Sequence, residues 1–302
     1  MADKKPALSL IATPGRRKAM FEVAREAERR GYAGIYVPSP FAGFAFCQAL
    51  AHETKTIPFG TAIAPIYTRT PEDYAQAVGF IHEVSGGRFR FGIGVAHEPS
   101  LERMGIKPGK PLADTRRFVE RLRATPRAGD LPPIVLATLR SKMLALGSEI
   151  GDGIVFANGA RSHMAKSLSG LTEAQRRDEN FFIGDMIPTC VSDDIEAAKA
   201  VNRKTLTGYL QLPNYRNYWK EAGYREEMEA VEAAIAKGDT ASLPSLMSDR
   251  WLADTTIFGP PAKVREEVQA WYEAGIRTPI LVPSSAAGNA LKAVEEVMAV
   301  FD

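Results

Sequence analysis

Apolar residues fall into eight short, nearly continuous runs along this chain: Leu8–Ala12, Gly34–Val37, Ile57–Ile63, Phe89–Val95, Ile134–Ala137, Ile154–Ala157, Phe181–Cys190 and Pro279–Val282. Runs that stay apolar at successive positions, without alternating, predict strands buried on both faces. That is the signature of a parallel sheet with helices on either side. The stretches between the runs carry helical spacing. Met20, Val23, Ala24 and Ala27 form one apolar stripe, and Gly31 stands where a helix ends in a left-handed residue. A second helix carries Cys47, Leu50 and Ala51. The third has the clearest start in the chain. Thr70 is placed to cap it, Pro71 suits its first turn, and Asp73 stands where a capping box has its acid. Its predicted apolar face is Tyr74, Ala77, Val78, Ile81 and Val84, with Gly86-Gly87 as the stop. Further helices are predicted over 112–124, 141–150, 261–275 and 286–300, and a charged, helix-rich region fills 193–250.

Eight strand–helix units are the number that closes a barrel. The predicted fold class is therefore α/β, a (β/α)8 TIM barrel forming one domain over residues 1–302, with a helix-rich insertion before the eighth strand. The alternative is an open, doubly wound sheet, suggested by the G-x-G of Gly92 and Gly94. That motif lacks a third glycine and lies inside the fourth strand, whereas a dinucleotide fingerprint follows the first.

Composition narrows the function classes. With 38 basic and 36 acidic residues interspersed, the net charge of +2 forms no stripe for nucleic acid. No apolar run approaches the roughly 20 residues that cross a bilayer, and the opening Met1-Ala2-Asp3-Lys4-Lys5-Pro6 lacks the apolar segment of a signal peptide. Two distant cysteines, Cys47 and Cys190, read as reduced thiols of a cytoplasmic protein. No H-E-x-x-H, Cys/His cluster or EF-hand loop is present, so no metal site is expected.

Active sites of such barrels lie in the loops at the C-terminal ends of the strands. Those loops are Ala12-Thr13, Pro38-Ser39-Pro40, Ala62 to Tyr67, Gly94 to Glu98, Ala137 to Lys142, Ala157 to Arg161 and Pro188 to Cys190. Three are informative. Ala137-Thr138-Leu139-Arg140-Ser141-Lys142 turns a strand directly into a helix, whose amides and dipole favour an anion; a plain loop with solvated bases is the alternative. Gly92-Ile93-Gly94-Val95-Ala96-His97-Glu98 lets a flat ligand approach the backbone and ends in two titratable groups, His97 and Glu98, suited to proton transfer unless they merely hold the loop. Gly60-Thr61-Ala62-Ile63-Ala64-Pro65 ends a strand in small residues, which serve either a ligand face or tight packing. His52, His82 and His163 are expected on helices away from the mouth.

These segments resemble the luciferase-like monooxygenase superfamily, and within it the branch that uses the deazaflavin coenzyme F420. The resemblance rests on Phe59-Gly60-Thr61-Ala62-Ile63-Ala64-Pro65-Ile66-Tyr67-Thr68-Arg69-Thr70-Pro71, on His82-Glu83-Val84-Ser85-Gly86-Gly87-Arg88-Phe89 with Gly92-Ile93-Gly94, on Ser141-Lys142-Met143-Leu144 with Gly151-Asp152-Gly153, and on Gly275-Ile276-Arg277-Thr278-Pro279. It implies an oxidoreductase moving a hydride between coenzyme F420 and a small organic substrate, or alternatively an FMN-dependent monooxygenase or a non-catalytic flavin-binding barrel. It implies a ring resting on Ala62-Ile63 and near Gly94-Val95, a cis peptide between Ala62 and Ile63, and a phosphate held by Ala137, Thr138, Leu139, Arg140 and Ser141 and near Asn158-Gly159. Arg140, Lys142 and Arg161 would face the coenzyme's acidic tail. A homodimer is implied as well. Where many deazaflavin members carry an acid or histidine after the second strand, this chain has Pro38-Ser39-Pro40, and the excursion before the fifth strand is cut to about Thr125 to Pro132.

Overall fold

Each predicted apolar run holds a strand, because its residues have helices to bury against on one side and each other on the other. In the computed structural model, which describes residues 4–39 and 43–302, the strands are β1 (Ala7–Ser9), β2 (Ile35–Val37), β3 (Phe59–Thr61), β4 (Ala64–Pro65), β5 (Phe89–Gly94), β6 (Ile134–Ala137), β7 (Gly153–Ala157), β8 (Phe182–Val191), β9 (Ile257–Gly259) and β10 (Thr278–Ser284). The helices are α1 (Arg17–Arg29), α2 (Gly43–Glu53), α3 (Pro71–Val84), α4 (Glu98–Arg103), α5 (Pro111–Arg123), α6 (Ser141–Ile150), α7 (Met164–Leu168), α8 (Glu173–Arg177), α9 (Ile195–Leu210), α10 (Pro213–Glu221), α11 (Arg225–Ala236), α12 (Asp249–Thr255), α13 (Pro261–Glu273) and α14 (Ala290–Val300). The fold is a (β/α)8 TIM barrel. β4 continues the third run after a break, and β9 is a three-residue strand the sequence reading did not anticipate. Pro40 and the first three residues lie outside the described residues.

The chain forms two compact units, one reaching to Phe156 and including Ser169–Gly184, the other comprising Ala157–Leu168 and Asp185–Asp302. In the first, β1, β2, β3, β5, β6 and β7 pair in parallel and in sequence order. Their outer face is an aromatic layer. Phe44 of α2 meets Tyr74 of α3 at 5.7 Å and Phe91 of β5 at 6.3 Å, and Tyr74 meets Phe118 of α5 at 5.7 Å, all edge to face. Such pairs add about 0.5–1.5 kcal/mol each beyond their buried area. The Tyr74 hydroxyl also donates to the Pro65 carbonyl at 3.0 Å, which fastens β4 to α3.

The start of α3 forms as its sequence dictates: the Thr70 hydroxyl accepts from the Asp73 N–H at 3.2 Å. The Asp73 carboxylate, however, pairs with Arg69 and does not complete a capping box. Its buried face includes Ala75 and Gly79, where the spacing predicted Ala77 and Val84. The reason is the short segment before β6: a Cβ on Gly79 would stand 2.0 Å from the Ala128 carbonyl oxygen. Arg88, in the Ser-Gly-Gly-Arg-Phe stretch, donates to Thr54, Ile57 and Ala51, so it closes the carbonyl end of α2.

In the second unit β9 pairs with the end of β8 in parallel, Thr189 opposite Ile257. Trp219, Trp251 and Trp271 are all fully buried, the first two edge to face at 4.8 Å. They give the charged region after β8 its core. The last helix starts at Ala290, not near 286, because Asn289 caps it by accepting from the Leu291 N–H. Among the described residues no helix is long and apolar enough to cross a membrane, and no group of three or more potential metal ligands is found.

Candidate active site

The third apolar run breaks where its small residues stand. The Thr61 hydroxyl donates to the Gly92 carbonyl at 2.7 Å, and the Ala62 N–H to the Val37 carbonyl at 2.8 Å. The Ala62–Ile63 peptide is cis. The chain then resumes pairing as β4, Ala64 opposite Ile93 and Pro65 opposite Gly94, with the Ile66 N–H donating to the Gly94 carbonyl at 3.0 Å. This detour carries Ile63 to Gly94. A Cβ on Gly94 would lie 3.0 Å from both the Ile63 Cγ1 and the Ala137 Cβ. Ile63, between β3 and β4, thus packs beside Gly94 and Ala137, the last residues of β5 and β6, and these three form a ledge; Val95, next along the chain, is half-buried.

Beside the ledge lies the β6–α6 connection. The Thr138 N–H donates to the Val155 carbonyl at 2.9 Å, which fixes the backbone. The Thr138 side chain is buried at 5% exposure, and its hydroxyl has no hydrogen-bond partner. A buried hydroxyl without a partner is costly in the absence of a ligand. Helix α6 starts at Ser141 with Arg140 in the capping position; no side chain caps it and no acid occupies its first turn. Its first amides have no intrahelical acceptor, so the positive end is open to an anion. Leu139 is half-buried, while Arg140, Ser141 and Lys142 are exposed.

After Gly94 the chain turns through Ala96, whose φ of 59° is left-handed. His97 precedes α4 and its carbonyl accepts from Ser100 and Leu101. His97 is half-buried, and burial lowers the pKa of its imidazole. The ring is therefore neutral at pH 7 and able to accept a proton. Glu98 is the first residue of α4 and exposed.

In the second unit Asn158 and Gly159 are buried in a different setting. The Asn158 N–H donates to the Met186 carbonyl at 3.0 Å, its carbonyl accepts from the Trp219 indole at 3.1 Å, and the Ala160 N–H donates to the Tyr218 hydroxyl at 3.1 Å. A Cβ on Gly159 would stand 2.5 Å from the Asp185 carboxyl. Asp185 is fully buried; burial pushes its pKa well above the carboxylate range, against the pull of the Gly159 and Met186 amides. These backbone groups have partners within their own unit. Arg161, expected to face an acidic tail, is instead paired with Glu267. His163 stands in the 3₁₀ turn Arg161–His163 soon after β7, not on a remote helix.

Thr61 stood in the sequence only as one small residue of its segment, and Asp185 was not singled out. Asp185 had one signal, a charged residue in the middle of an apolar run.

The sequence model of the luciferase-like monooxygenase family matches residues 6–278. Among individual proteins, the chain is similar to a 5,10-methylenetetrahydromethanopterin reductase of Archaeoglobus fulgidus, 27% identical over 77% of this chain and 79% of the relative. It is also similar to the enzyme of that name from Methanolobus tindarius, 23% identical over 90% and 92%. Among solved structures it is similar in fold to the coenzyme F420-dependent tetrahydromethanopterin reductase of Methanopyrus kandleri, with a TM-score of 0.77, 17% identity and full coverage of both chains. An F420-dependent secondary alcohol dehydrogenase matches at a TM-score of 0.70 and 17% identity, over 99% of each chain.

Proposed function

Because the chain belongs to the luciferase-like monooxygenase family, we propose that it is an oxidoreductase that moves a hydride between coenzyme F420 and a small organic substrate. The coenzyme F420 dependence stated for the two similar solved structures supports the choice of coenzyme. The observation that carries the reading is the ledge of Ile63, Gly94 and Ala137 beside the unpartnered Thr138 hydroxyl and the open end of α6. A flat ring suits an apolar surface on which a glycine lets the backbone come close, and a phosphate suits a buried hydroxyl beside free amides. The residues present therefore fit the coenzyme.

In this reading Ala62, Ile63, Gly94 and Val95 support the ring, and Ala137, Thr138, Leu139, Arg140 and Ser141 hold the phosphate. The coenzyme supplies the hydride chemistry when bound; the chain supplies position and electrostatics. His97 exchanges the proton that accompanies hydride transfer, its buried neutral imidazole being suited to accept one. Glu98, exposed beside it, passes that proton to solvent. Cys47 and Cys190, both free and buried, suit a reducing compartment, so we place the protein in the cytoplasm. A homodimer rests on the resemblance alone, and light scattering on the purified protein tests it.

Titration with each cofactor tests the reading. Micromolar binding of coenzyme F420 that weakens with salt, with FMN much weaker, is the expected result. Tight FMN binding without coenzyme F420 binding replaces it with a flavin monooxygenase.

A further inference from the structure

The first unit contains a cavity of about 290 Å³ between the turn after β4 and helix α5. That is close to the lower size of small-molecule sites, roughly 300 Å³. Its apolar part is Ile66 and Phe118, which are 5% and 4% exposed. Around this lie three cations, Lys107, Arg117 and Arg121.

The one carboxylate on its wall, Asp114, is already engaged. It accepts from the Tyr67 hydroxyl at 2.8 Å and from the Arg117 guanidinium at 2.5 Å. The loop closes on it so tightly that a Cβ on Gly109 would lie 2.4 Å from its Oδ2. Burial and the neighbouring Asp114 raise the Tyr67 phenol to about 12, so Tyr67 stays a neutral donor. Asp114 thus acts as a fixed anchor that holds Arg117 and Tyr67 at the wall. Arg121 is held at the rim by Glu72 at 2.7 Å. Lys107 is exposed and has no carboxylate partner among the described residues.

An apolar floor under an excess of cations selects an anion with a hydrophobic body. We propose that this cavity binds a small organic carboxylate, its body on Ile66 and Phe118 and its charge on Lys107 and Arg117. The turn that forms the cavity, Ile66-Tyr67, follows the ledge directly in sequence, as the loop holding Lys107 follows His97 and Glu98. The cavity therefore deepens the hydride-transfer reading, on which this step rests, by giving the substrate class as an organic acid. The coenzyme's own acidic tail offers the same chemistry, and the apolar floor favours the organic acid.

Benzoate is the probe, titrated by calorimetry into the protein without coenzyme, beside benzyl alcohol, which has the same body and no charge. Saturable benzoate binding, about tenfold or more tighter than benzyl alcohol and weakened about tenfold by Lys107→Glu, is the expected result. Arg117→Gln should weaken it too. If loosening Asp114 unfolds that variant, Lys107→Glu, exposed and outside the Asp114 contacts, still decides. Coenzyme F420 is then titrated into wild type and Lys107→Glu. Unchanged affinity assigns the cavity to an organic acid. A loss that disappears for the tailless deazaflavin ring assigns it to the coenzyme's carboxylates; either supports a carboxylate site. Benzoate binding no tighter than benzyl alcohol, or indifferent to Lys107→Glu, overturns it. The benzoate measurements need no coenzyme, so their failure is separate from failure of the coenzyme reading.

Discussion

Thr61 and Gly92 lock the ledge from below. The Thr61 hydroxyl donates to the Gly92 carbonyl at 2.7 Å, and the Thr61 carbonyl oxygen occupies the space a Gly92 side chain would need, 1.9 Å from an ideal Cβ. Two adjacent strands approach this closely only because residue 92 has no side chain, and the approach is what turns the chain at Ala62-Ile63 toward Gly94.

Gly92→Ala should therefore cost about 3 kcal/mol or more, since the contact is with backbone and cannot relax by a rotamer change. Urea unfolding checks this. A loss under about 1 kcal/mol would show that the strands separate easily and that the ledge is not fixed by this contact.

Thr138→Val tests the phosphate contact without disturbing the fold. The hydroxyl is buried and unpartnered, so its replacement should leave thermal stability unchanged or raise it slightly. Coenzyme F420 affinity should fall by about 1.5–3 kcal/mol, as for one hydrogen bond to a charged group. Unaltered affinity, read by fluorescence titration, would remove Thr138 from the phosphate site.

Arg140→Glu places a negative charge at the positive end of α6, where the native first turn has no acid. Coenzyme F420 affinity should drop by about 1–3 kcal/mol, and the loss should shrink as salt is raised. If calorimetry finds wild-type affinity, the anion lies elsewhere.

His97→Ala should slow turnover roughly 100-fold with little change in coenzyme affinity. A stability signature accompanies it. Burial lowers the His97 pKa in the folded chain, so above its ordinary value near 6.5 both folded and unfolded forms are neutral and stability is full. As pH falls below that, the unfolded chain takes up the proton first and stability declines toward the folded pKa. Comparing urea unfolding at pH 7.5 and pH 5.5, the decline should be smaller in His97→Ala than in wild type. Equal declines would mean that His97 titrates as it does in the unfolded chain.

Much of this architecture was legible along the chain. Short, nearly continuous apolar runs bounded by turn residues and separated by helical spacing fit strands buried on both faces. The Thr70-Pro71 start of α3 and the end of α1 at Gly31 follow from capping and backbone conformation, which are local. The ledge segments could be named because small residues at strand ends are visible one at a time.

What only the tertiary structure decided are the facts that depend on a distant partner. The sequence offered Arg161 as a free cation, and Glu267 takes it. It showed Asp114 as one helical acid among many; Tyr67, far away along the chain, makes it an anchor. Asp185 reads as a break in an apolar run until the fold buries it against Gly159. Side-chain spacing is a property of a local helix or strand and is written in the order of residues. Pairing, burial and the spaces left between segments arise when chain closure brings remote residues together, and no local pattern encodes which ones meet.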